Sequence, residues 1–154
     1  MALELSTAGI RLKFTTEATA GVRPTSGYTP LSGVKRIGEL NPAPSNLDAT
    51  DLSDEEWKRY IPGLKDPGGA WQIGTNMSTQ FLTQWETVVS NYDNVKDTGK
   101  ALWFEVAVPG LAKSFFIRGI PQPLGMNGAE TDSVFENNVY IMPNGPAGWF
   151  AKST

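Results

Sequence analysis

The chain contains neither histidine nor cysteine, so any reaction it runs has to come from carboxylates, lysine, tyrosine or serine. That composition removes the commonest catalytic base, the activated thiol and nearly every zinc or copper site. The densest cluster of reactive types is NLDATDLSDEEWKRYIPGLKD, Asn46 to Asp66, where Asp48, Asp51, Asp54, Glu55, Glu56 and Asp66 oppose Lys58, Arg59 and Lys65. A glycosidase needs two carboxyls across a cleft, about 5–5.5 Å apart for retention or about 6.5–9.5 Å for inversion, one of them with a raised pKa. Asp54, Glu55 and Glu56 fit a different role. Ser53 and Glu56 have capping-box spacing, and Leu52 and Trp57 that of a hydrophobic staple, so a short helix is predicted after Ser53, ending near Tyr60 before Pro62-Gly63. The positive end of its dipole would lower carboxyl pKa values, the reverse of what a general acid requires. No catalytic residue is assigned. Neither Asp48–Asp54 nor Asn91–Asp97 has the glycine and closing glutamate of a calcium loop, and Gly68-Gly69 precedes a strand rather than a helix, so no metal and no cofactor is expected.

The elements around this segment read mainly as strands. Ile10, Leu12 and Phe14 alternate with Arg11, Lys13 and Thr15, a first strand with one buried face. Residues 15–33, rich in Thr, Gly and Pro, are predicted to be an extended arm anchored by Tyr28 and Leu31. Val34–Leu40 is strand-like until Pro42 and Pro44. Trp71, Ile73, Thr75 and Met77 form a further alternating strand. Ser78 or Thr79 then caps a helix of about 79–92, whose Phe81, Trp85, Val88, Val89 and Tyr92 make one apolar stripe. Asp93–Lys100 reads as a polar loop. Leu102, Phe104, Val106 and Val108 share a face with Trp103 on the other, which predicts a strand covered on both sides. Ser114–Ile120 should pair with it as a hairpin. Ser133–Met142 is the last strand, with Phe135, Val139 and Ile141 on one side, and Pro143–Gly148 is expected to break regular structure. Together these predict a mainly β chain of one domain: a two-sheet β-sandwich or partial barrel with one flanking helix and a long protruding loop at about 44–69.

At 154 residues the chain is long enough for one core without staples. No apolar run approaches the ~18 residues of a membrane span, and the first residues lack a basic-then-apolar signal, so a soluble, unexported product is expected. Residues 1–37 carry Arg11, Lys13, Arg23, Lys35 and Arg36 against Glu4 and Glu17, a net +3, which leaves −6 for the rest of a chain of net charge −3. The basic first quarter is too sparse for nucleic-acid binding, but it could attract the acidic middle of another copy.

The order of elements, and above all Lys58 to Asp66 (KRYIPGLKD) after an acidic, threonine-containing loop and before a glycine turn, an aromatic strand and a helix, resembles the tail tube protein of long non-contractile-tailed bacteriophages. That family is related to the tube proteins of contractile injection systems. The resemblance covers nearly the whole chain and implies a structural virion protein. Six copies would form a ring, and rings would stack into a tube through which genomic DNA passes without specific binding. It further implies tape-measure, tip and terminator proteins as partners, no membrane, and a place in the virion tail after assembly in the host cytoplasm. On this reading Asp48, Asp51, Asp54, Glu55, Glu56, Trp57 and Tyr60 make contacts between copies, with Arg23, Lys35 and Arg36 as the opposing surface. The alternative is a small β-sandwich carbohydrate-binding or adhesin module stacking sugars on Trp71, Trp103 and Trp149.

Overall fold

The computed structural model describes residues 5–41, 43–66 and 69–154. Its strands are β1 (Arg11–Thr16), β2 (Thr29–Pro30), β3 (Val34–Ile37), β4 (Ala43–Asp48), β5 (Tyr60–Asp66), β6 (Trp71–Asn76), β7 (Leu102–Ala107), β8 (Lys113–Pro121) and β9 (Glu136–Ala151), with one helix, α1 (Thr79–Val95), between β6 and β7. Among the described residues seven strands form one curled sheet in the order β2-β1-β7-β8-β9-β6-β3, and β4 and β5 pair only with each other as a separate two-stranded sheet. The fold is therefore mainly β with a flanking helix, as the alternation of apolar residues predicts. Among the described residues no helix is long and apolar enough to cross a membrane.

Register explains where the core lies. Phe14 pairs with Phe104 and Phe104 with Ile117, while Ile73 pairs with Val139 and Trp71 with Ile141, so these side chains share one face of the curled sheet. Helix α1 lies across that face, capped by Ser78, whose hydroxyl accepts a hydrogen bond from the Phe81 amide at 3.1 Å. Phe81, Trp85 and Val88, spaced at i, i+4 and i+7, are fully buried there, and the Trp85 indole donates to the Gln122 carbonyl at 2.9 Å. The apolar stripe is thus spent on the protein's own sheet. Met77, Val89 and Tyr92 border the same cluster.

Three sequence expectations are corrected here. The helix extends through Val95 into a 3-10 turn, Lys96–Thr98, so Asp93–Lys100 is not a loop; the chain turns only at Gly99, whose φ of 77° suits glycine. Phe135 lies before β9 and is exposed, while Val139 and Ile141 are buried. Most consequentially, β9 does not break at Pro143–Gly148. Gly119 pairs with Pro143 and Ile117 with Ala147, so Asn144, Gly145 and Pro146 bulge opposite the single residue Arg118, and pairing resumes to Ala151. The prolines sit where the ladder is already interrupted, which is where a strand tolerates them.

The second face of the sheet is covered by residues 17–30. Trp103, Glu105, Ser114 and Phe116 are buried on it. The fixing group is Glu17. Its carboxylate accepts from the Ala101 amide at 2.7 Å, the Trp103 indole at 2.9 Å, the Gly21 amide at 3.0 Å and the Arg118 guanidinium at 3.0 Å. Arg118 also donates to the Gly99 carbonyl at 2.9 Å and the Asn144 carbonyl at 2.7 Å, joining the end of α1 to the bulge in β9. Burial pushes the Glu17 pKa up, but the hydrogen bonds from Arg118, Trp103 and Ala101 outweigh it and hold the carboxyl below its ordinary range. Removing one member of a buried, hydrogen-bonded ion pair leaves the other charge unpaired, so Glu17→Ala is expected to cost about 3–5 kcal/mol. Urea unfolding would check this: the midpoint should fall strongly, and Glu17→Gln should lose less because it keeps an acceptor for Ala101 and Trp103.

Candidate functional site

The segment singled out by its charge is a β-hairpin. Leu47 pairs with Ile61 and Asp48 with Tyr60, and the ladder continues through the Ala49 amide onto the Arg59 carbonyl at 2.9 Å. Gly63 lets the strands approach closely: a Cβ there would lie 2.3 Å from the Ser45 hydroxyl, which would have to rotate, and 3.2 Å from the Ser45 carbonyl oxygen. Pro62 lies opposite Asn46 in a two-stranded sheet, both of whose strands are edges, the places where a sheet tolerates proline.

The expected helix after Ser53 is absent; residues 51–59 form turns and bends. Ser53 and the aspartates around it bond locally instead. Asp48 accepts from the Thr50 amide at 2.9 Å, Asp51 from the Ser53 amide at 2.8 Å, and Asp54 from the Asp51 amide at 3.0 Å. Arg59 clamps the tip, donating to Asp54 at 2.8 Å and to Asp51 at 2.9 Å. A helix of two turns is marginal by itself, and aspartates that bind their own backbone favour turns over helix. Of the carboxyls that the expected helix dipole was to act on, Asp54 is held below its ordinary range, but by the Asp51 amide and Arg59; Asp51, lowered mainly by the Ser53 hydroxyl and amide, and Asp48, lowered by the Thr50 side chain and amide, lie outside that reading. Leu52 and Trp57 do not form a staple. Both point into solvent, Trp57 at 80% exposure, and Leu47, Tyr60, Ile61 and Leu64 are exposed with them.

The structure brings Asp51, Asp54 and Arg59 together and leaves Glu55 and Glu56 exposed beside them. The basic residues proposed as the opposing surface are occupied within the chain. Lys35 and Arg36 both pair with Glu136, whose carboxyl they hold below the ordinary range. The Arg23 guanidinium lies 4.7 Å from the Phe116 ring centroid and 4.8 Å from that of Phe150, a cation–π contact that ties the covering segment to the sheet. Of the three candidate sugar platforms, Trp71 and Trp103 are each 2% exposed and belong to the interior; only Trp149, at 51%, is open.

Sequence reasoning missed one surface feature. Ile37, Leu40, Trp71, Val106, Phe115 and Trp149 line a groove of about 190 Å³ at the end of the core that α1 does not cover. Trp149 stands edge-on to Phe115, ring centroids 5.6 Å apart. The signal was Trp149-Phe150 following a stretch taken as irregular, which hid that β9 carries them back into the sheet. The volume is below the ~300 Å³ at which small-molecule pockets begin and suits a single bulky side chain.

No protein-family model matches the chain, and no curated protein matches it. Chains of solved structures share its architecture, among them two from the anti-feeding prophage. One is a chain of the six-fold symmetrised baseplate of the anti-feeding prophage, with a TM-score of 0.65 and 9% identity over 98% of both chains. The other is a chain of that prophage's tube-terminating cap, with a TM-score of 0.56 and 10% identity over 98% of this chain and 95% of that one. This chain has their fold. At such identity the correspondence is one of backbone path, and it runs essentially end to end.

The clamp at the hairpin tip predicts a pH response. Asp51 and Asp54 have folded pKa values below the ~3.9 of an unstructured aspartate, so their contribution is present above that value and is lost as pH falls below it. The Asp51 and Ser53 amide resonances should therefore move together with a midpoint under ~3.9 and lose that coupling in Arg59→Ala. A midpoint at or above the unstructured value would contradict the clamp.

Proposed function

We propose that this protein is a structural component of a phage-like tail or injection particle, and more finely a tube protein: six copies close into a ring, and rings stack through the β4–β5 hairpin into a conduit for genomic DNA. The observation that carries this reading is the end-to-end likeness of the fold to two anti-feeding prophage chains, one of them from a six-fold symmetrised assembly. The finer statement rests on the KRYIPGLKD resemblance and on the hairpin's physical character. A two-stranded sheet is marginally stable alone in water, and exposed apolar side chains in such number mark a contact surface. An element that pairs only with itself yet presents Leu47, Leu52, Trp57, Ile61 and Leu64 is best accounted for by burial against another copy. Head-to-tail contacts of this type, with dissimilar surfaces at the two ends, generate rings and filaments. A net charge of −3 suits a lumen that a polyanion must traverse without adhering. The carbohydrate-binding reading loses two of its three platforms to the core.

Negative-stain microscopy of the purified protein over a range of concentration and salt tests the proposal: rings or tubes are expected, and a strictly monomeric particle under every condition would overturn it. Replacing Asp48–Tyr60 by a two-residue Asn-Gly turn should leave the circular dichroism of the main sheet intact, because the hairpin pairs only with itself, while abolishing stacking. Global unfolding of that variant would instead make the hairpin part of the core.

A further inference from the structure

We propose that the hairpin tip docks, on a second copy of this chain, at the end of the main sheet where β1 and β8 begin and β7 and β9 finish. The proposal rests on the stacking reading above and names its receiving surface. Register places Arg11 beside Ala107 and Lys113 beside Ala151, with Lys152 one residue further on, so three cations gather at one end of four adjacent strands. All three are exposed, and none forms an ion pair with a described residue. Lys152 is steadied by donating to the Val108 carbonyl at 2.9 Å in the β7–β8 turn. Among these cations lie an apolar hollow formed by Leu111, Ala112 and Trp149 and, across Trp149, the uncovered groove at the end of the core.

The surface is complementary to the tip in both respects. The hairpin offers Leu52 and Trp57 as apolar knobs, and Glu55 and Glu56 as carboxylates without an intrachain cation among the described residues. Between Asp48 and Tyr60 five acids face two bases. The hairpin's own copy does not provide the seat. In the free chain Leu52 and Trp57 at the tip stand exposed, so they rest on no surface of their own copy. Lys35, Arg36 and Arg23, the other basic candidates, are engaged by Glu136, Phe116 and Phe150. What remains open is an acidic apolar tip and a basic apolar strand end on one chain, the heterologous pair that repeats along an axis.

Because the chain has no cysteine, disulfide trapping tests the contact directly. Trp57→Cys mixed with Leu111→Cys under mild oxidation should give a cross-linked heterodimer, whereas Trp57→Cys with Arg36→Cys should not. Preferential linkage to position 36, or no linkage to position 111 in particles that stack, would overturn the assignment. Charge exchange gives a second arm. Lys113→Glu/Lys152→Glu and Glu55→Lys/Glu56→Lys should each raise the concentration needed for stacking by roughly tenfold, as expected for several rim charges, and an equimolar mixture of the two variants should restore it. Variants that stack at the same concentration as the wild type would refute this surface and leave the tube reading standing. A wild-type chain that never self-associates would refute both.

Discussion

The buried carboxylate of Glu17 is the constraint on which the rest of this molecule depends. A curled sheet has two faces, and one helix can cover only one of them. Here α1 takes the face carrying Phe104, Ile117 and Ile73, which leaves Trp103, Glu105 and Phe116 to be covered by chain with little apolar content of its own. Glu17 solves this with polar bonds, binding the start of β7, the Trp103 indole and Arg118 at once. Arg118 in turn holds the carbonyls at the end of α1 and in the bulge of β9. A buried pair of this kind is not in itself a large source of stability, since desolvation offsets much of the attraction; its effect is to fix one arrangement, because any other leaves a charge unpaired.

That arrangement divides the chain into a rigid body and an appendage. Aromatic contacts of Arg23 and Tyr28 with Phe116, and the bonds from Ser153 to Glu105, close the second face. The β4–β5 hairpin takes no part in this closure. It is ordered by its own ladder and by the Arg59 clamp on Asp51 and Asp54, interactions that water and salt weaken. Marginal local stability is characteristic of segments that complete their packing on binding.

Most of the main sheet was legible because its signals are local. Alternation of Leu12 with Phe14, and of Trp71, Ile73 and Thr75, reports a half-buried strand, and the Phe81, Trp85, Val88 stripe reports a helix. What failed depended on partners remote in sequence. Pro143 and Pro146 look like breakers until the Arg118 bulge accommodates them. Ser53 and Glu56 look like a capping box, yet the Ser53 amide bonds to Asp51, Arg59 holds Asp54, and Glu56 is left exposed. Glu17 in a threonine- and glycine-rich stretch gives no hint of burial, because its four partners lie up to 101 residues away. Of the candidate contact surface, the acidic and aromatic half was visible as composition. The receiving half was not, since Arg11, Lys113 and Lys152 converge only through strand register.

A fold shared with two anti-feeding prophage chains thus carries a hairpin whose apolar residues stand exposed. The central claim is that the hairpin is completed by another copy. Hydrogen exchange of the amides between residues 46 and 66, compared in the free protein and in assembled particles, measures this most directly. The account predicts fast exchange in the free protein and strong protection on assembly that includes the hairpin and the strand ends near Leu111. Assembled particles in which those hairpin amides exchange as rapidly as in the free chain would contradict it.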